Sequence, residues 1–306
     1  MKYNFIVNPH SRSGKGGMIW ETLEPELKKR QTNYEGFLTE HPGHAITLAR
    51  QITGDGQEHV IVILGGDGTV NEVMNGIEDV EKTILGYIPT GSSNDLARGL
   101  GLPKEPLEAL DVVLNSEQTQ KMDIGLLTRG GKERRFAVSA GIGFDAAVCH
   151  HAAISSLKVL LNRLKLGKLT YVAIALGRLF CDNPVRAKIT LDDKEARIFE
   201  KVYFAAAMNN SYEGGGFHFC PNARNDDGLL DVIVISKLPK LAVLLLLPTA
   251  YKGWHTHFPG IFVFQCRKVT IETEEALAVH TDGEPIFLRK RITAGLLGKQ
   301  IRVISV

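Results

Sequence analysis

Hydrophobic and polar positions follow two rhythms along this chain. In the first third, short apolar runs alternate with amphipathic stretches. Residues 3–8, 34–39, 59–64 and 83–88 read as strands, and His59-Val60-Ile61-Val62-Ile63-Leu64 is apolar enough to be buried on both faces. Residues 19–29, 44–52, 70–76, 96–99 and 106–115 read as helices, with Ala45, Leu48, Ala49 and Ile52 spaced along one helical face. Residues 11–17 read as a glycine- and serine-rich loop. The alternation predicts an α/β N-terminal domain with a doubly wound parallel sheet.

Beyond about Met122 the rhythm changes. Residues 120–127, 134–140, 185–191, 201–208, 229–236, 262–272 and 276–281 read as strands, interrupted by one helical block at 150–180. Runs of strands joined by turns predict a mainly antiparallel β sandwich as C-terminal domain. The expected units are 1–123, nucleotide-binding, and 124–294, β-rich, with the last strand, about 295–306, returning to the first. No internal repeat or low-complexity segment is visible.

Composition narrows the function classes. The 306 residues are 44% hydrophobic and 23% charged, with net charge +2. That is globular, and it carries no field that calls for nucleic acid. Basic residues gather at 28–30, 129–135, 158–168 and 289–291; each run reads first as a solvated face and second as a weak attraction to an anionic membrane. Cys149, Cys181, Cys220 and Cys266 show no CxxC spacing, which points to reduced thiols in a cytoplasmic protein rather than a disulfide frame or a zinc site. The opening residues 1–7, broken by Asn8-Pro9, are too short for a signal peptide. The apolar stretch 241–247 is too short for a transmembrane segment, so the sequon at Asn209 reads as idle.

The chemistry gathers where strands give way to helices. Gly65-Gly66-Asp67-Gly68-Thr69 sits between a buried strand and a helix beginning at Val70. That arrangement aims backbone N–H groups and the positive end of a helix dipole at one spot. The glycines let a phosphate chain lie against the backbone, and Asp67 offers a carboxylate to a nucleotide-bound Mg²⁺. Phosphoryl transfer from a nucleoside triphosphate is the reaction this suggests. Asn8-Pro9-His10-Ser11 with Ser13-Gly14-Lys15-Gly16, Thr39, and Thr90-Gly91-Ser92-Ser93-Asn94-Asp95 bring three more strand ends to the same sheet edge. Small polar donors on four loops describe a cradle for phosphate and sugar.

Other patterns carry less. No G-x-x-x-x-G-K-[ST] motif occurs. Gly141-Ile142-Gly143-Phe144-Asp145-Ala146 fits G-x-G-x-x-A but lacks a following strand with an acidic ribose ligand, so it reads as a tight turn. His150-His151 and His255-x-His257 have no Cys or Glu at ligand spacing and read as surface or helix-end residues.

These motifs resemble the diacylglycerol kinase catalytic-domain family, most closely its soluble bacterial lipid kinases, nearly end to end. Asn8-Pro9 with Ser11 and Gly14 is similar to the opening loop, and Gly65 to Glu72 to the hallmark nucleotide loop. Pro89 to Arg98 is similar to the third motif, with Ser92 where Thr is commoner. Gly143-Phe144-Asp145-Ala146, Asn225-Asp226-Asp227-Gly228-Leu229 and Thr281-Asp282-Gly283-Glu284-Pro285 resemble the motifs of the second domain. The Gly-Gly-Asp-Gly-Thr core is shared with NAD kinases and 6-phosphofructokinases; Asp-Gly-Glu-Pro makes the match specific.

The resemblance implies ATP and Mg²⁺ as cofactors. It implies that Asn8, Thr39, Gly65, Gly66, Asp67, Gly68, Thr69, Val70, Asn71 and Ser92 contact ATP. Glu284 would be the general base on the acceptor hydroxyl, a task that suits a carboxylate. Asp67 and Asp95 would face it and hold the catalytic Mg²⁺, with Asp282 orienting the turn. A second Mg²⁺ is implied at Asp227, with the carbonyls of Arg224 and Leu229.

The expected acceptor is a lipid hydroxyl, diacylglycerol-like, met at the inner membrane surface. The apolar segments at 238–247 and 154–180 read as core helices or as an acyl groove or membrane contact. Two rivals stand beside this reading: a kinase of a soluble acceptor such as NAD, and a catalytically silent nucleotide- or lipid-binding regulator. The oligomeric state is open, a homodimer being one expectation.

Overall fold

The computed structural model describes residues 1–154, 177–179 and 181–306. Most of the expected helical block at 150–180, and the basic run at 158–168, lie outside the described residues.

Four strands lie parallel in the order β4-β3-β1-β2: β1 (Tyr3–Val7), β2 (Tyr34–Leu38), β3 (His59–Gly65) and β4 (Thr83–Pro89). Alternation along the strands explains why helices cover both faces. Phe5, Val7, Val60, Val62 and Leu64 pack with α1 (Ser11–Lys29) and α5 (Pro106–Asn115). Ile6, Ile61 and Ile63 face α2 (His44–Thr53), α3 (Asp67–Gly76) and α4 (Asp95–Gly99). The carboxyl ends of β1, β2, β3 and β4 therefore open on one edge, where ligands bind in sheets of this kind. The loop expected at 11–17 survives inside α1: Arg12, Ser13 and Gly14 leave helical geometry, with φ of 49°, 60° and 92°.

The remaining strands pair antiparallel, apart from the last residues of the chain. They are β5 (Thr119–Arg129), β6 (Lys132–Phe136), β7 (Ser139–Gly143), β8 (Val185–Leu191), β9 (Arg197–Met208), β10 (Leu230–Ser236), β11 (Ile261–Cys266), β12 (Lys268–Thr281) and β13 (Glu284–Ile304). Both β7 and β8 sit between β9 and β12. The circuit closes around an apolar interior that includes Ile142, Ile189, Val202 and Val269. Helix α6 (Phe144–Ile154) follows β7, and α7 (Lys240–Ala250) follows β10.

Hydrogen bonding runs unbroken from β2 to β11, so the β-rich half is continuous with the parallel sheet rather than a detached sandwich. The cause is β13. It pairs antiparallel with β12 and β5, and then Arg302 and Val303 pair parallel with Ile84 and Leu85 of β4. A bare β4 edge would expose a row of unpaired amides. Two further differences follow from local bonding. The strand expected at 134–140 is split at Ala137 and Val138, whose N–H groups turn away to the Asp282 carboxylate. The stretches 262–272 and 276–281 are redivided as β11 and a single long β12.

Ile301 of β13 is fully buried in the cluster beneath α2 and α3. Ile301→Ala should lower the unfolding free energy by about 2–5 kcal/mol in urea titration. A loss below about 1 kcal/mol would mean that the end of β13 does not anchor this core.

Candidate active site

Three strand-to-helix loops meet at the sheet edge. Asn8 donates through Nδ2 to Thr69 Oγ1 at 3.0 Å, Ser11 Oγ lies 2.8 Å from Thr90 Oγ1, and the Thr90 N–H donates to Gly65 O at 2.7 Å. The Thr39 N–H donates to Val7 O, which places Thr39 beside Asn8. Gly66 and Gly91 touch backbone to backbone: a Cβ on Gly91 would stand 2.5 Å from the Gly66 Cα. Ser92 is exposed at the rim. The first-turn N–H groups of α3 have no carbonyl four residues back within the helix, so the edge can receive an anion. Val70 and Asn71 differ from the rest of this motif. Val70 packs in the core, and Asn71 is fully buried with its amide committed elsewhere, so any contact they make with a ligand comes from the backbone.

That commitment joins the halves. Asn71 Nδ2 donates to Asp282 Oδ2 at 2.8 Å and to Arg135 O at 3.1 Å, while Arg134 donates to Asn71 Oδ1. The Asp282 carboxylate also accepts the N–H groups of Ala137, Val138 and Ser139 at 2.9, 2.7 and 3.0 Å. Its own N–H donates to Ser139 O. Asp282 (φ 51°) and Gly283 (φ 78°) turn the chain sharply. Glu284 is thereby delivered against the glycine loop: a Cβ on Gly68 would collide with its carboxylate. Residues about 200 positions apart in sequence meet here, an acid from one half against the phosphate-type loop of the other.

Asp67 and Asp95 stand in the same cleft. Asp67 accepts the N–H groups of Asp95 and Leu96 at 3.1 and 3.2 Å and so caps α4. Burial and the neighbouring Asp95 carboxylate push its pKa up to about 7. Asp95 is 4% exposed and accepts the Gly215 N–H at 2.8 Å through Oδ2. Its Oδ1 is buried without a hydrogen bond, the Arg98 guanidinium lying 3.9 Å away. Burial pushes Asp95 up as well, against Gly215 and Arg98. Two crowded carboxylates with an unpaired oxygen are what a hard divalent cation would relieve.

No residue spacing marks the buried trio that stands behind the Glu284 turn. His280 Nε2 lies 3.0 Å from Asp145 Oδ2 and 3.1 Å from Glu213 Oε1. Gly141 makes room for it, since a Cβ there would collide with both Asp145 and His280. The G-x-G-x-x-A match thus marks a close approach of backbone to side chains. The three side chains could ligate a metal by distance alone. However, the Gly283 N–H donates to His280 Nδ1 at 3.1 Å, which puts the imidazole proton on Nε2, between the carboxylates. Burial opposes a charge on His280, and Glu213 and Asp145 outweigh it, pushing it up to about 9. Because Nδ1 must keep its lone pair for Gly283, the cluster's additional proton is better placed on Glu213, which burial pushes up to about 7. The trio holds the turn that carries Glu284.

The turn at 224–229 is separate from this cleft centre. The Asp227 carboxylate is exposed and accepts the Leu229 N–H at 3.0 Å, and Arg224 pairs with Asp226. Asp123, buried and unmarked by any sequence motif, ties the turn to the sheet by accepting the Gly228 N–H and Gln300 Nε2. Part of the basic run at 129–135 is structural: Arg135 donates to Met74 O and Ile77 O, and so caps α3. The run at 28–30 pairs with Glu24, Glu26 and Asp111, as a solvated face does.

Comparison with known proteins points to one family over both halves of the chain. The family described as diacylglycerol kinase catalytic domain matches residues 2–127, and the YegS C-terminal NAD kinase beta sandwich-like domain matches residues 137–292. A Bacillus subtilis protein named as a lipid kinase, YtlR, is 33% identical over 92% of each chain. A diacylglycerol kinase of Mycobacterium tuberculosis is 31% identical over 92% of this chain and 88% of its own. A Bacillus anthracis crystal structure described as a diacylglycerol kinase superposes with a TM-score of 0.78 at 25% identity, covering 100% of this chain and 97% of that one. An Archaeoglobus fulgidus NAD kinase in complex with ATP shares the fold, with a TM-score of 0.53 at 12% identity over 100% of this chain and 94% of that one.

Glu213 ionises at about 7 when folded, against 4.5 when exposed. Its contribution to stability is complete below the lower value and is lost as pH rises through the higher one. The thermal midpoint of the unliganded protein should fall between about pH 4.5 and pH 7 and level off above that, and fall less steeply in Glu213→Gln. Identical slopes would show that Glu213 is not the titrating group.

Proposed function

The chain belongs to the diacylglycerol kinase catalytic-domain family, and from that premise we propose that it transfers the γ-phosphoryl group of ATP to the hydroxyl of a diacylglycerol-like lipid. The observation that carries this reading is the apposition of Gly68 and Glu284. The family's nucleotide loop and a carboxylate from the other half share one cleft.

In this reading the phosphates of ATP lie along Gly65, Gly66, Asp67, Gly68 and Thr69, with Asn8, Thr39 and Ser92 around them. Close backbone approach is the reason for glycine there; Gly66 and Gly91 already leave no space for side chains. Glu284 takes the proton of the acceptor hydroxyl as its oxygen attacks the γ-phosphorus. Asp282 and His280 hold the turn, so Glu284 is in position before the acceptor arrives. Asp67 and Asp95 would hold Mg²⁺, and the unpaired Oδ1 of Asp95 supports that assignment. The ion's contribution is to offset negative charge on the phosphoryl oxygens. For a second cation at Arg224, Asp227 and Leu229, the set offers one carboxylate, that of Asp227, whose Oδ1 already accepts the Leu229 N–H. We place the protein in the cytoplasm, acting on lipid at the inner membrane surface; no helix among the described residues is long and apolar enough to cross a membrane.

Labelled ATP offered with mixed lipid micelles, or with NAD, tests the acceptor class. Labelled phospholipid is expected; labelled NADP instead would move the protein to the soluble-acceptor kinases. Label that stays in ATP with either acceptor would favour a silent regulator. Glu284→Gln should lower kcat by about 100-fold or more with ATP affinity within about threefold of wild type. Near-normal turnover in that variant would remove Glu284 as the base.

A further inference from the structure

We propose that the outward face of α7, together with Trp254 just beyond it, docks on an anionic lipid bilayer beside the mouth of the cleft. The purpose of this docking rests on the lipid-kinase reading above; the binding itself does not.

Helix α7 has the sequence Lys-Leu-Ala-Val-Leu-Leu-Leu-Leu-Pro-Thr-Ala and is apolar on every side after its first residue. One side is accounted for, since Val243, Leu244 and Leu246 pack on the cluster that holds Phe204 and Phe219. The other is not. Leu241 is 63% exposed, Leu245 is 67% exposed, and Pro248 continues the same stripe. A surface helix normally places polar residues there. Trp254 follows at 58% exposure, with Lys252 Nζ 4.9 Å from its ring centre, and Phe258 is exposed beyond it. An apolar patch of this kind marks a contact surface.

Charge selects the occupant. From Val232 to Ile271 the sequence contains no Asp or Glu, while Lys237 and Lys252 are exposed in the same region. Exposed leucines, an indole and lysines without acids fit the boundary between acyl chains and anionic headgroups. A second copy fits poorly, because a two-fold contact would set a stretch that carries lysines and no acids against itself.

The face is also coupled to the cleft. The His218 N–H donates to Ala250 O at the end of α7, and the Tyr251 ring stacks on Phe217 at 4.2 Å. Two residues earlier, the Gly215 N–H donates to Asp95. The loop that supports Asp95 is therefore fastened to the base of α7, and a bilayer on α7 would lie next to the catalytic carboxylates.

Two measurements test the proposal. The protein should co-sediment with phosphatidylglycerol vesicles in preference to phosphatidylcholine vesicles, and Leu241→Asp combined with Leu245→Asp should reduce partitioning by about tenfold or more. Brominated acyl chains should quench Trp254 and not Trp20, which is 7% exposed in the N-terminal core, and Trp254→Phe should abolish the quenching. The double variant should keep turnover of a dispersed short-chain diacylglycerol and lose turnover on vesicles. Unchanged partitioning in the double variant, or no quenching in the wild type, would overturn the docking face. So would a wild-type dimer that the double variant splits without any vesicle binding, which would give the face to a second copy. If no lipid is phosphorylated while quenching and partitioning behave as described, the kinase reading fails and the docking face stands.

Discussion

The carboxylate of Asp282 is the constraint on which the rest of the cleft depends. It accepts three consecutive backbone N–H groups, from Ala137 to Ser139, and the side-chain amide of Asn71. Burial pushes its pKa up, and these donors act in the opposite direction. A buried carboxylate is tolerated only when satisfied this fully. The arrangement ends one strand, begins another, ties α3 to the β-rich half and turns Glu284 toward Gly68. One side chain thus joins α3, the break before β7 and the turn before β13.

Around this clamp the protein carries electrostatic strain in two places. Asp67 and Asp95 crowd each other at the sheet edge, and Asp145 and Glu213 crowd His280 behind the turn. In the second cluster one imidazole proton serves two carboxylates and the remaining lone pair accepts the Gly283 N–H, while Glu213 Oε2 stays buried without a hydrogen bond. The first is left with a buried oxygen unpaired. Perturbed groups that the fold does not satisfy mark functional sites more often than structural ones. Both clusters keep one carboxylate oxygen without a hydrogen bond, and place is what distinguishes them: Asp67 and Asp95 stand at the sheet edge, the trio behind the Glu284 turn.

Loop 211–218 links these regions. Glu213 belongs to the buried trio, Gly215 supports Asp95, and Phe217 and His218 rest against the end of α7. The Gly214, Gly215 and Gly216 run has positive φ throughout, a conformation that glycine adopts without strain. In consequence the Asp95 carboxylate and the end of α7 share one support.

The alternating βα pattern, the four strand-end loops and the antiparallel texture beyond Met122 were legible in the amino-acid sequence. They arise from local periodicity, turn chemistry and short motifs, and these act within a few residues. The breaking of the strand at Ala137 and the Asp145, Glu213 and His280 trio were not legible; that Glu284 would face the nucleotide loop was expected only through the family resemblance, and the return of the last strand was expected without its pairing to β4. Each is made by partners that lie far apart in the chain. His280 looks like an ordinary strand residue in one dimension, and Asp282 was marked only by resemblance, as orienting its turn. Only the closing of the tertiary structure brings them the buried donors and carboxylates that give them their roles.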